Sequence, residues 1–505
     1  MGRLILGDEI LQDKLTALAK AGRFQIGLLI GQNTADTHII VHLAPTPVPD
    51  EGDLSSEDED PTLPDPTSAT RPDPTSATRP DPTSSKYPDS IPKVVDATVT
   101  EHARQAVRML PGGLNLLGVY IVTTPTDFTA PPSQAKIRGV LSSIHRTTTR
   151  VLLESCDVCT EKVVIHVCSQ TFKITCKTED LSTTTSEASS KVSEVKFTRG
   201  GSGGDSTFKQ LSYCYNINLN FWLPKEQQSA QSLYRTLLTL LRPWAKSVKE
   251  SLILIDSALP DDSDTLDPPR SKTKGGGGPQ TPAPTSSAPH KVFTAEILDA
   301  CTPLVPPSAV GGGAEGAGCV RESMGCVKLT GSLAGLAFVH SKATVGESRG
   351  AVIMDLVRSV VGRWEMHCDS LVEEPLTHLQ GPIIHEPPRR VFIDGGGLPV
   401  SLCDYLFPGD TPTDACQSAK ELLGLRIQQQ HVDDTLETLA DASDVENIGE
   451  PGEPCEPLVN PGLGRRGGGG VRAGGGSIGG VTVTHLLALL AILTVMIAIG
   501  VSYFK

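Results

Sequence analysis

The chain has 505 residues, of which 20% are charged and 38% hydrophobic, an ordinary globular balance with room for roughly two to three domains. A formal net charge of -14 and a pI near 5.4 exclude the broad basic face that nucleic-acid phosphates require. Aromatics are scarce at 4%, whereas 49 Gly and 39 Pro gather in a few stretches too polar to form core.

Residues 1–44 read as a strand at 3–6, a helix with Ile10, Leu11, Leu15 and Leu18 at helical spacing, and two strands, FQIGLLIG and THIIVHLA, joined by a turn at 32–35. Acid, Pro and Ser dominate 45–92. There PDPTSATR occurs at 64–71 and again at 72–79, so this stretch is expected to be a disordered insertion. A helix over 98–110 follows, with Ala103, Ala106, Val107 and Leu110 on its packing side, and Pro111, Gly112 and Gly113 stop it. LNLLGVYIV then reads as a buried strand, 133–145 as a helix, and KVVIHVCSQ, TFKITCKT and YCYNINLNFWL as strands, the last two separated by a Gly/Ser loop at 200–206. Leu, Trp and Ile at helical intervals over 233–255 predict a helix that Pro243 kinks or restarts. This closes a first α+β domain, 1–44 with 93–258.

A Pro/Ser/Thr/Gly linker is expected at 259–289 and a second α+β domain at 290–428. In that domain GCVKLTGSLAGLAFVH reads as two strands, 349–363 as an amphipathic helix, EMHCDSLV and RRVFIDGGGLPVSLCDYLF as strands, and 415–423 as a closing helix. The acidic, Gly-rich 429–480 reads as a flexible stalk. The stretch 481–504 contains no Asp, Glu, Lys or Arg and is long enough as a helix to cross a hydrocarbon core of about 30 Å. Val481, Leu486, Leu490, Ile492, Val495, Ile499, Val501 and Phe504 mark its apolar surface. Arg465, Arg466 and Arg472 precede it and only Lys505 follows, which places the bulk of the chain on the cytosolic side. The start, MGRLILGDEILQDK, lacks the pattern of a secretory signal, so a tail-anchored chain with free cytosolic thiols is expected.

Chemistry is sparse. Cys156 and Cys159 form a CxxC without the second ligand pair that zinc needs, since His166 and Cys168 fall on an alternating strand pattern. Cys403 beside Asp404, with His340 elsewhere, is the best thiol nucleophile candidate, but its apolar strand context reads as core, and His367 and Cys368 read the same way. The glycine runs at Gly275, Gly311, Gly395 and Gly467 lack the Lys and Ser/Thr of a phosphate loop. No catalytic residue, metal or cofactor is predicted.

The segment EHARQAVRMLPGGLNLLGVYIV, with MGR, GLLIGQ, EKVVIHVCSQTFKITCKT, RPWAK, RRVFI and LCDY in the same order, resembles the odorant response abnormal protein 4 (odr-4) homologue family. On that resemblance Arg108, Met109, Leu110, Pro111, Gly112, Gly113, Gly118, Leu402, Cys403, Asp404 and Tyr405 carry the signature, and the octapeptide repeats and glycine runs depart from the family pattern. The order of elements in the first domain resembles, more weakly, the MPN fold of deubiquitinating metalloproteases. There a Gly-x-Tyr strand runs into two zinc-binding histidines, whereas Gly118, Val119 and Tyr120 run here into Ile121 and Thr123, so the resemblance implies an inactive copy suited to pairing with an MPN-like partner. The family resemblance implies a tail-anchored, non-catalytic adaptor that recruits the ubiquitin-fold-modifier-specific cysteine protease to the endoplasmic reticulum membrane. The alternative it implies is a chaperone or export factor for G-protein-coupled receptors of the odorant type.

Overall fold

The computed structural model describes residues 3–34, 36–47, 88–183, 190–198, 207–224, 230–266, 292–298, 323–373 and 387–438. Strand β1 (Leu4–Asp8) runs into helix α1 (Glu9–Lys20), which Asp8 caps by accepting the Ile10 amide at 3.1 Å. Then come β2 (Gln25–Asn33), β3 (Thr37–Pro45), α2 (Asp96–Arg108), β4 (Asn115–Thr123), α3 (Pro125–Thr129), α4 (Pro131–Val151), β5 (Glu161–Cys168), β6 (Ile174–Asp180), β7 (Ser190–Val192) and β8 (Val195–Thr198).

These strands form one eight-stranded sheet in the order β7-β6-β5-β4-β2-β3-β1-β8, with β4 parallel to β5 and β1 parallel to both β3 and β8. Leu11 and Leu15 of α1 pack with Leu29, Tyr120 and Val163 on one face, whereas Val99 and Ala103 of α2 and Val140 and Ile144 of α4 pack with Leu28, Val119 and Ile121 on the other. Every residue of β4 is buried, which is why it reads as a continuous apolar run instead of an alternating one.

The rest of the body comprises β9 (Phe208–Pro224), α5 (Ala230–Glu250), β10 (Leu252–Ile255), β11 (Val292–Leu298), β12 (Ser323–His340), α6 (Val345–Glu373), β13 (Arg389–Ile393), β14 (Leu402–Leu406), α7 (Pro412–Leu423) and β15 (Val432–Asp433). A four-stranded sheet runs β10-β11-β9-β12 and a three-stranded one β14-β13-β15. The α+β class is as expected; the division at 259–289 is not. β9, before the expected linker, pairs along its length with β12, from Pro224 opposite Ser323 to Phe208 opposite His340, and with β11. Residues Met1–Gly449 are one compact unit, because neither part can bury its apolar face without the other.

Other local expectations change for identifiable reasons. GCVKLTGSLAGLAFVH is part of one strand, β12, because β9 offers it an equally long partner. EMHCDSLV continues α6, its buried Cys368 and Leu371 following Trp364 at helical spacing. Leu252–Ile255 is strand β10, not the end of the preceding helix. β7 and β8 were not anticipated. The body reaches past 429, since β15 pairs with β13 and Glu437 is buried, so 429–438 belongs to the body and not to the expected stalk. Among the described residues no helix is long and apolar enough to cross a membrane. The expected anchor 481–504, like most of the insertion 45–92, of the linker and of the stalk, lies outside the described residues.

Candidate functional site

The two signature segments, far apart in sequence, meet around one buried set of charges. At the end of α2 the Met109 and Leu110 amides donate to Ala106 and Val107, and Pro111 then ends the helix. Gly112 lies beside β12, its N–H donating to the Leu336 carbonyl at 3.0 Å and its own carbonyl accepting from Phe338 at 2.8 Å. A Cβ at Gly112 would lie 2.2 Å from the Ala351 carbonyl oxygen, and one at Gly113, where φ is +81, would lie 2.0 Å from that of Phe338. Only glycine allows so close an approach.

Helix α6 supplies the charges that hold this turn. The Asp355 carboxylate, fully buried, accepts the Gly112 amide at 2.7 Å, the Tyr213 hydroxyl at 2.7 Å, and two bonds from Arg390 at 2.7 and 2.8 Å. Arg358 donates to the carbonyls of Leu110, Pro111 and Leu114 and, at 2.9 Å, to Asn115 Oδ1. The Cys403 amide donates to the Met109 carbonyl at 3.0 Å, and its sulfur sits 3.1 Å from Arg390 Nη2 and 3.4 Å from the Arg108 carbonyl oxygen. Two guanidinium groups approach the Tyr405 ring, Arg363 at 5.2 Å and Arg390 at 5.9 Å from its centre. Arg108 itself pairs with Glu365 at 2.9 Å, and Arg363 with Glu437 through two bonds of 2.7 Å. Burial pushes the Cys403 thiol and the Tyr213 hydroxyl up and the Asp404 carboxyl up to about 6. Burial works against the charge on Arg390, but Asp355 outweighs it and holds the guanidinium protonated.

Most polar groups of this arrangement are committed to one another, whereas the Nε atoms of Arg358, Arg363 and Arg390 are buried without a partner among the described residues. Four donors converge on Asp355, and the partners of the Cys403 sulfur are a guanidinium and a main-chain carbonyl, not an imidazole. His340 is elsewhere, its amide donating to Gln32 Oε1 at 2.7 Å. Cys368 is buried in α6 with its thiol pushed up to about 12 by burial. Cys156 contacts the Gly350 carbonyl at 3.7 Å, whereas Cys159 accepts from Arg3 Nη1 at 3.3 Å, and among the described residues no three His, Cys, Asp or Glu side chains are grouped to hold a metal. At the positions compared with zinc ligands, Ile121 is buried in the core and Thr123 donates to Asp127 at 2.8 Å. Gly118, with φ +157, lets β4 approach β5, since a Cβ there would lie 1.8 Å from the Val163 carbonyl oxygen.

Sequence reasoning found the signature but missed the residues that join its parts: Asp355, Arg358, Arg363 and Glu437. A signal existed for three of them. Charges inside the apolar run AVIMDLVRSVVGR cannot remain buried without partners.

The structure thus defines a mixed α+β protein whose two most distinctive segments are joined through a buried ionic network. The chain belongs to the Odorant response abnormal 4-like (ODR4-like) family, whose model matches residues 27–434. It is 27% identical to the human Protein odr-4 homolog over 448 residues, 87% of each chain, and 24% identical to that of Xenopus laevis over 445 residues, 86% of each. Among solved structures, a crystal structure of UfSP from C. elegans aligns with 84% of this chain and 57% of its own at 7% identity and a TM-score of 0.36, too low to define a common fold.

Proposed function

We propose that the chain is a non-catalytic membrane adaptor that brings the ubiquitin-fold-modifier-specific cysteine protease to the endoplasmic reticulum, with its body in the cytosol and 481–504 as its anchor. The observation that carries this reading is the buried network at the signature: Asp355, Arg358, Arg390 and Cys403 bond to main-chain atoms and to one another, as a rigid docking body requires and as an exposed nucleophile does not. The contact with the protease falls on the exposed surface of the body, since β4, with Ile121 and Thr123, is buried throughout.

The test is membrane sedimentation of the protease from cells expressing the full chain or a chain ending at Gly480. With the full chain the protease sediments with membranes; with the truncated chain it stays in the supernatant. Equal sedimentation in the two cases would refute the adaptor role. The family's description, an odorant response, favours a second reading in which receptors are direct clients. In that case receptor surface expression falls on loss of the chain and is not restored by a protease tethered to the membrane by other means.

A further inference from the structure

The CxxC pair, Cys156 and Cys159, lies in the loop between α4 and β5, outside the hydrogen bonds of the signature network. Both are free, half-buried thiols, and both line one cleft of about 560 Å³, to which Gly350 of α6 also contributes. The lining carries both signs of charge, Asp157 and Glu347 against Lys249 and Arg349, so it selects no charged ligand. What sets this cleft apart is the pair of thiols.

Their surroundings differ. Cys156 Sγ donates to the Gly350 carbonyl at 3.7 Å and lies 3.7 Å from the Ser155 hydroxyl, and burial pushes its thiol up. Cys159 Sγ accepts from Arg3 Nη1 at 3.3 Å, and the same guanidinium pairs through Nε with Glu161 at 3.4 Å. Nearby, Lys162 is fully buried, and its ammonium has only the Leu116 carbonyl, at 3.1 Å, as a partner among the described residues. Burial lowers Lys162 to about 8, and the group that works against this is Cys159, not a carboxylate. A negative sulfur at Cys159 therefore serves two cations, whereas the contacts of Cys156 are a carbonyl and a hydroxyl. Since the thiolate is the attacking form, this asymmetry makes Cys159 the nucleophile and Cys156 the resolving thiol.

The main chain leaves the pair free to close. Helix α4 ends at Val151 and β5 begins at Glu161, and among the described residues no main-chain amide or carbonyl of 156–159 is hydrogen-bonded within the chain. Cα atoms three residues apart are separated by at most about 11 Å, and a disulfide needs about 5.5–6 Å, so a shift of a few ångströms within this loop joins the sulfurs.

We propose that Cys156 and Cys159 form a redox-active dithiol whose substrate is a small-molecule disulfide, represented by glutathione disulfide. The Cys159 thiolate attacks one sulfur of glutathione disulfide, forming a mixed disulfide and releasing one glutathione thiolate, which takes up the proton that Cys159 has lost. Cys156 then attacks Cys159 Sγ, and its proton goes to the second glutathione as that leaves. Two protein thiols and one glutathione disulfide become one protein disulfide and two glutathiones, with two electrons passing from the protein to glutathione. Closure removes the S–H of Cys156, so the Gly350 carbonyl loses its donor and the loop its contact with α6. The site does not depend on which of the two functions above the chain serves.

The test equilibrates the purified full chain in detergent with glutathione buffers of rising disulfide fraction, then unfolds it and blocks the remaining thiols with N-ethylmaleimide. Mass spectrometry reads the tryptic peptide 151–162, VLLESCDVCTEK, which carries both cysteines. The expected peptide takes up no maleimide and is two hydrogens lighter than its reduced form. At short times Cys156→Ser gains a glutathione adduct on Cys159 about tenfold or more faster than on the exposed Cys214, and faster than Cys159→Ser gains one on Cys156. Because either substitution can disturb packing, the peptide mass in the unaltered chain stands as the independent readout. A peptide that stays open to two maleimides even in glutathione disulfide alone overturns the proposal, as does one that carries glutathione in place of the internal bond. Faster reaction at Cys214 than at Cys159 also overturns it, since exposure alone would then govern the chemistry.

Discussion

Arg390 closes on Asp355 through two hydrogen bonds of 2.7 and 2.8 Å, at a point where neither side chain is more than 1% exposed. The pair ties β13 to the middle of α6, and through the Gly112 amide it reaches the turn after α2. Arg390→Met leaves the carboxylate buried without its counter-charge, and a loss of about 3–5 kcal/mol in urea unfolding is expected. The double variant Arg390→Met, Asp355→Leu is expected to lose less than the sum of the two single changes, because it removes both charges.

Glycines at the signature are expected to differ from the glycine in the cleft. Gly113→Ala and Gly118→Ala each force a methyl into a carbonyl oxygen, at 2.0 and 1.8 Å, and are predicted to destabilise by more than the roughly 1–3 kcal/mol of backbone strain alone. Gly350→Ala, with open space around its Cβ, is predicted to stabilise by up to about 1 kcal/mol, the helix preference for alanine. Thermal melting of the three variants side by side decides it.

Glu437 accepts both bonds from Arg363, the Arg390 amide at 2.7 Å and the Ala334 amide at 2.9 Å, so one carboxylate clasps α6, β13 and β12. A chain ended at Gln430 leaves Arg363 buried without its counter-charge, although the Pro388 carbonyl still accepts from it, and is expected to be less stable by about 3–5 kcal/mol than one ended at Gly449. Equal denaturation midpoints would show that the clasp contributes nothing.

Two histidines from different elements hold consecutive carbonyls at the end of α7, His42 that of Leu423 and His102 that of Leu422, each at 2.7 Å. Burial lowers His42 and His38 to about 4. Both are therefore neutral in the folded chain at a pH where the unfolded chain binds protons. Their contribution to stability is fully present above about pH 6.5 and is lost as pH falls toward 4, at a cost on the order of 2–3 kcal/mol for His42. His42→Gln, measured by urea unfolding at intervals between pH 7.5 and 4, is expected to flatten that slope.

Much of the body was legible where apolar spacing is regular. Leu11 and Leu15 marked α1, Ala103 and Val107 marked α2, and the uninterrupted LNLLGVYIV marked β4 as buried on both faces. The signature pointed to Gly112, Gly113 and Cys403, and the structure brings these together. What stayed hidden depends on pairing across the chain. Nothing local in Glu437, one acid among several at 433–437, reveals that it is the one that enters the core. The single long β12 is legible only together with β9, which matches its length, and the dense Pro and Gly between them suggest a boundary that the shared sheet does not have. In 364–371, Trp364, Cys368 and Leu371 repeat at helical intervals, so EMHCDSLV reads as helix once it is joined to the segment before it and as strand only in isolation.

The pairing of β9 with β12 also governs the order of events on the ribosome. The buried side of β9, which includes Tyr213, Ile217 and Phe221, leaves the exit tunnel well before its partner strand is synthesised, and at about 5–20 residues per second the wait is on the order of 5–20 seconds. During that interval the nascent chain presents a long unpaired edge that is open to aggregation. Once β12 emerges the sheet can zip shut, and Glu437 follows to clasp it. Both steps precede synthesis of 481–504, so the body can reach its final form before the hydrophobic tail exists.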